Sequence, residues 1–125
     1  MAGESDLQRA YFEAKLAAQA DVMDVVRFLD RGDDELVLVD ARAGEAYAEE
    51  HLPGAISVPV DAAAEIVNGL DPGRQYVVYC WRSTCHLAAK VALELANRGL
   101  DVREMNTGWR EWKAEGWPTE GPEAP

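Results

Sequence analysis

The chain has 125 residues, 48% of them apolar, and carries 12 Lys and Arg against 23 Asp and Glu, a formal net charge of −11. That length suits one domain able to bury a core without staples. Acidic residues spread along the chain set a repulsive field against nucleic acid and anionic membrane surfaces, so the expected partners are a basic protein or a small molecule.

From Asp6 to about Arg31 the pattern is helical. Leu7, Tyr11, Ala14 and Ala18 recur at helix spacing, predicting a first helix over about 6–18, and Val22, Val25, Val26 and Leu29 repeat it after a break near Asp21. Asp21 is placed to cap the second helix and Gly32 to stop it. LVLVD (36–40) is an unbroken apolar run, as in a parallel strand covered on both faces. AISVP (55–59) is a shorter strand candidate, and YVVYC (76–80) is a second strong one. GEAYAEEH and DAAAEIVNG between them read as amphipathic crossover helices closed by turn residues.

From about Cys85 to Arg98, Leu87, Val91 and Leu95 make one stripe with Ala88, Ala92 and Ala96 beside it, and Gly99 with Leu100 closes the helix. DVREM (101–105) reads as a strand and GWREWKAEG as a last short helix. Trp109 and Trp112, at i, i+3, read as core packing, and Trp117 before Pro118 as an anchor for the tail. The whole predicts an α/β fold: a central, mostly parallel sheet of about five strands with helices on both faces. One domain is expected over residues 1–120, with a tail at 121–125. Ligands of such sheets bind beyond the carboxyl ends of the strands, which puts Asp40 and Cys80 on one rim.

No apolar run approaches the roughly 18 residues that span a bilayer, and MAGESDLQRAYFEAK lacks a signal peptide's apolar stretch. The expectation is a soluble, cytoplasmic protein that binds neither membrane nor nucleic acid. Its two cysteines exclude a secreted disulfide framework and direct attention to VVYCWRSTCH, residues 77–86. A loop that leaves a strand and opens a helix turns unpaired N–H groups inward, and these with the helix dipole favour an anion, a thiolate included. Cysteines so placed have pKa values of about 3.5 to 7.5, so Cys80 is expected to be ionised near neutrality. Arg82 and His86 add positive character, while Trp81 either walls a pocket or packs on the rim.

Cys80 as an inert small hydrophobe ending a buried strand is the plainer reading, and the Arg, Ser and Thr beside it count against that. Cys80, Cys85, His86 and His51 lack the paired spacings of a closed zinc site. His51 reads as a turn-bracing residue and His86 as a helix-start residue, with a general base as its lesser alternative.

VDARAGEAYAEEHLPGAISVP resembles the N-terminal signature of the rhodanese family, through Asp40, Arg42, Tyr47, His51, Leu52, Pro53, Gly54 and Ala55. The strand ending at Cys80, with its short loop and helix, is similar to that family's active-site segment. TGWREWKAEGWPTE resembles its closing Gly-Trp, Trp, Gly-x-Pro pattern. These three signatures run in order over residues 36–120. The resemblance implies a single-domain rhodanese-like fold and a sulfurtransferase. Cys80 would take a sulfane sulfur from a donor such as thiosulfate as a persulfide and pass it to a thiol or cyanide acceptor. Trp81, Arg82, Ser83, Thr84, Cys85 and His86 would form the substrate loop, with backbone donors from 81–85, and no metal or organic cofactor is implied. Asp40 and Arg42 would brace the strand end by internal pairing rather than act on substrate.

This chain departs from the family at Cys85, where a cation commonly stands, and it lacks a loop glycine. Arg82 offers a charge from another position, and a thiol-bound or protein-bound donor stands beside thiosulfate. Cys85 has two readings, a silent residue of the first helical turn or a resolving thiol that attacks a persulfide on Cys80. A phosphatase or arsenate reductase would need Arg where His86 stands. The missing cation also motivates an alternative from another class, a catalytically weak protein-binding or regulatory module.

Overall fold

The computed structural model describes residues 3–32 and 35–125. Its elements run α1 (Glu4–Ala18), β1 (Gln19–Ala20), α2 (Val22–Arg31), β2 (Leu36–Asp40), α3 (Gly44–Glu49), β3 (Ile56–Ser57), α4 (Ala63–Ile66), β4 (Gln75–Tyr79), α5 (Leu87–Asn97), β5 (Asp101–Met105) and α6 (Trp109–Ala114). The strands form one parallel sheet in the order β1-β5-β4-β2-β3. This is the α/β architecture that the alternating pattern implies.

Successive strand residues face opposite sides, so the sheet has two apolar cores. Val39, Val78, Cys80, Ala88, Val91 and Leu95 fill one; Leu38, Val77, Tyr79, Met105 and Trp112 fill the other. Pairing of Asp40 with Tyr79 brings the carboxyl ends of β2 and β4 side by side, so Asp40 and Cys80 share the rim.

Local chemistry sets the boundaries. Asp21 Oδ1 accepts from the Met23 amide at 2.8 Å to start α2, and Gly32 ends it at a φ of 65°, which a glycine adopts without steric cost. Gly99 repeats the device after α5 with a φ of 76°, and the Leu100 amide returns to the Leu95 carbonyl. α5 starts at Leu87, later than the apolar stripe suggests, because Cys85 still belongs to a turn in which its amide donates to Arg82 O.

β1 is absent from the sequence reading. It is two residues long and lies in the break between two helices, and only its pairing with Glu104 and Met105 makes it a strand. α1 buries none of its residues, leaving Leu7, Tyr11, Phe12 and Leu16 exposed. In the tail the Glu123 amide donates to Glu49 O, and just before it Glu120 pairs with His51 across a short bridge. Trp117 meets the buried Trp112 edge to face at 5.0 Å. Among the described residues no helix is long and apolar enough to cross a membrane.

Candidate functional site

Residues 80–86 connect β4 to α5, and β4's alternation decides where they point. Tyr79 faces the α6 side, so Cys80 turns its thiol to the α5 side, where it is 2% exposed. Trp81, Arg82, Ser83, Thr84 and His86 are exposed above it, and Cys85 is half-buried between. The loop is held from the side by the start of α6. Trp109 N donates to Cys80 O at 2.7 Å and Arg110 N to Trp81 O at 2.8 Å. Glu111 Oε1 accepts from both Ser83 N and Gly108 N, at 3.0 and 3.2 Å. This approach needs a glycine, since a Cβ on Gly108 would lie 2.4 Å from Arg82 N and 2.7 Å from Cys80 O.

The expected cup of amides from 81–85 is therefore built differently. The Ser83 amide is spent on Glu111 and the Cys85 amide on Arg82 O. The Cys80 thiol meets carbonyls, Cys85 O at 3.4 Å and Arg82 O at 3.8 Å; the donors that favour the anionic form are the Ala88 and Arg82 amides for Cys80 and the Leu87 and Trp81 amides for Cys85. Half of this donor set comes from the first turn of α5.

Ionisation also departs from expectation. Burial pushes the Cys80 thiol up to about 11, and its hydrogen bond to the Cys85 sulfur adds to the rise; the Ala88 and Arg82 amides oppose this without reversing it. Cys85 also feels burial, which raises it, but the Cys80 thiol, the Leu87 and Trp81 amides and the Arg82 charge together bring it below the ordinary thiol value. The helix-start argument assigned the lowered value to Cys80, whereas burial raises Cys80 and the lowered value belongs to the more open Cys85. Cys80 Sγ also lies 3.4 Å from Cys85 O, an acceptor that favours a protonated sulfur. His86 acts electrostatically on Glu104 rather than on either sulfur: burial pushes that carboxyl up and His86 draws it down.

On the same rim, Asp40 and Arg42 are both buried. Arg42 Nε and Nη2 meet Asp40 Oδ1 and Oδ2 at 3.0 and 2.7 Å, Tyr79 OH donates to Oδ2 at 2.7 Å, and Nη2 donates on to Glu50 O. The guanidinium carbon stands 4.3 Å from the Trp109 ring centre and 4.8 Å from that of Trp81. Every charge of this pair is met inside the protein. His51 is apart from the cysteines, its Nδ1 2.8 Å from Tyr47 O and its ring stacked on Tyr47. Among the described residues no three His, Cys, Asp or Glu side chains converge as a metal site.

A sequence model described as the rhodanese-like domain matches residues 14–115. The chain belongs to this family. The BH2092 protein of Bacillus halodurans, a solved structure, matches with a TM-score of 0.84 at 30% identity, covering 98% of this chain and 89% of that one. Among curated relatives, the HTH-type transcriptional regulator Rv0324 of Mycobacterium tuberculosis is 33% identical over 86 residues, 69% of this chain and 38% of its own length. A tRNA sulfurtransferase of Thermoplasma acidophilum is 38% identical over 66 residues, 53% of this chain and 13% of its own length. The rhodanese-like domain thus spans well under half of either relative.

The rhodanese-like domain places Cys80, Trp81, Arg82, Ser83, Thr84, Cys85 and His86 on one loop with Asp40 and Arg42 behind it. Gly108, Trp109, Glu111, Leu87 and Ala88 were missed as site residues. The Gly-Trp pair of TGWREW is the one sequence signal for the clamp from α6.

Proposed function

We propose that this rhodanese-like domain is a sulfurtransferase that carries sulfane sulfur on Cys80. The observation that supports it best is the place of Cys80, at the end of β4 beneath the exposed residues 81–84 and just before α5 begins, where the Arg82 and Ala88 amides favour its anionic form. A sulfur added there extends the charge away from the buried Sγ, toward the exposed residues 81–84, so the burial that raises the thiol weighs less on the persulfide. With thiosulfate, Cys80 attacks the outer sulfur, the bond to sulfite breaks, and sulfite leaves with the electron pair. The proton of Cys80 passes to Cys85, already its hydrogen-bond acceptor. A thiol or cyanide then removes the terminal sulfur. No metal or organic cofactor enters these steps, and the setting is read as cytoplasmic.

The test is intact mass after reduced protein meets thiosulfate or mercaptopyruvate. Gain of one sulfur that needs Cys80 and is lost to cyanide is expected; Cys80→Ser should gain none. A second reading, a binding or regulatory module, draws support from the raised Cys80 thiol and from the regulator among the relatives. Failure of wild type to react with either donor would favour it.

A further inference from the structure

We infer that Cys85 resolves the persulfide on Cys80, releasing hydrogen sulfide and leaving a Cys80–Cys85 disulfide that a dithiol reductant reopens. This rests on the reading that Cys80 accepts sulfane sulfur. Four observations carry it. Cys80 Sγ lies 3.4 Å from the Cys85 carbonyl oxygen, which sets the two residues against each other across a short turn, and each thiol's ionisation responds to the other. Neither cysteine is in a disulfide; both are free thiols. Backbone amides favour the anionic form of both sulfurs, those of Arg82 and Ala88 for Cys80 and those of Trp81 and Leu87 for Cys85. Finally, Cys80 is buried and Cys85, five residues on in the same loop, is the more exposed of the two.

The step balances without any outside oxidant, because the sulfane sulfur is itself the oxidant. Once Cys80 carries the extra sulfur, Cys85 holds the proton it received. Its sulfur attacks Cys80 Sγ, the bond from Sγ to the terminal sulfur breaks, and that sulfur departs with the electron pair and the Cys85 proton as HS⁻. Two thiols have been oxidised to a disulfide and one sulfane sulfur reduced to sulfide. The sulfurs must close from contact to the ~2.05 Å of a disulfide, a movement confined to a turn on the exposed side of the loop. Reopening takes two electrons and two protons, which a dithiol supplies.

The experiment is a single turnover under anaerobic conditions: reduced protein with one equivalent of thiosulfate, or of a low-mass thiol persulfide, and no reductant. Wild type is expected to end lighter by two hydrogens, with one equivalent of sulfide in solution. Trypsin cleaves after Arg82, between the two cysteines, so residues 75–82 and 83–90 should travel as one disulfide-linked species that reduction separates. Cys85→Ser and Cys85→Ala, which load more slowly because the Cys80 proton must go to solvent, should at completion be heavier by one sulfur and release no sulfide. Wild type that keeps the added sulfur and frees no sulfide overturns the inference while leaving Cys80 as carrier. Wild type that neither gains sulfur nor forms the disulfide overturns both. If the variants lose their fold by circular dichroism, the sulfide count and linked peptides of wild type decide alone.

Discussion

Replacing Gly108 with alanine puts a methyl group where the start of α6 touches the cysteine loop. Its Cβ would stand 2.4 Å from Arg82 N, 2.5 Å from Arg82 Cα and 2.7 Å from Cys80 O, and all three are backbone atoms that no rotamer change can move. The φ of −131° suits any residue, so the cost is steric rather than conformational. Overpacking costs about 1–3 kcal/mol where neighbours can rearrange. Here the segments must part, weakening the 2.7 Å bond to Cys80 O and the 2.8 Å bond to Trp81 O, each worth about 1 kcal/mol. The expected loss is about 3–5 kcal/mol, a large share of a typical domain's 5–15. Urea unfolding measures it, with Gly44→Ala as control, since nothing lies within 4 Å of a Cβ there. That control should be neutral or stabilised by up to about 1 kcal/mol. Sulfur loading should also slow in Gly108→Ala as the loop shifts. A Gly108→Ala protein within about 0.5 kcal/mol of wild type, loading at the same rate, would refute the close-approach argument.

Asp40→Ala strands the buried Arg42 without its carboxylate, and unfolding should become easier by about 3–5 kcal/mol; a loss below about 1 kcal/mol would mean that the pair contributes little beyond filling space. The thiol pair predicts a pH signature. Between the ordinary 9.0 and about 11 the unfolded Cys80 thiol has lost its proton while the folded one keeps it, so stability falls as pH rises through that window, by about 2–3 kcal/mol. Cys85 acts oppositely below 9.0, adding stability as pH rises through its lowered value. Tyr79, raised by burial and by Asp40, also loses stability in alkali, so the quantity to measure is wild type against Cys80→Ala by urea midpoints across pH. Parallel curves would contradict the assignment of the high value to Cys80.

The elements most legible in the sequence are those whose own residues decide them. LVLVD and YVVYC are apolar enough to require cover on both faces, and the Leu87, Val91, Leu95 stripe has one side to bury. β1 was illegible because Gln19 and Ala20 carry no strand pattern, only a place beside β5. At the site, Cys80 and its loop could be found from spacing. The ionisation could not: the helix-start argument weighed amides and dipole but had no measure of desolvation, which here is the largest influence. The donors at Leu87 and Ala88, and the carboxylate at Glu111 that turns Ser83 outward, depend on where α5 begins and how closely α6 approaches. Both are distances set by the whole sheet, not by neighbours in sequence.

The hold of Trp109 and Arg110 on the carbonyls of Cys80 and Trp81 makes the shape of the cysteine loop depend on residues that leave the ribosome after both cysteines have emerged. A nascent chain extended only through α5 exposes two ordinary thiols with no clamp to aim their surroundings. The surroundings of the two cysteines are therefore completed only when α6 docks, and until then the pair is open to whatever oxidant it meets.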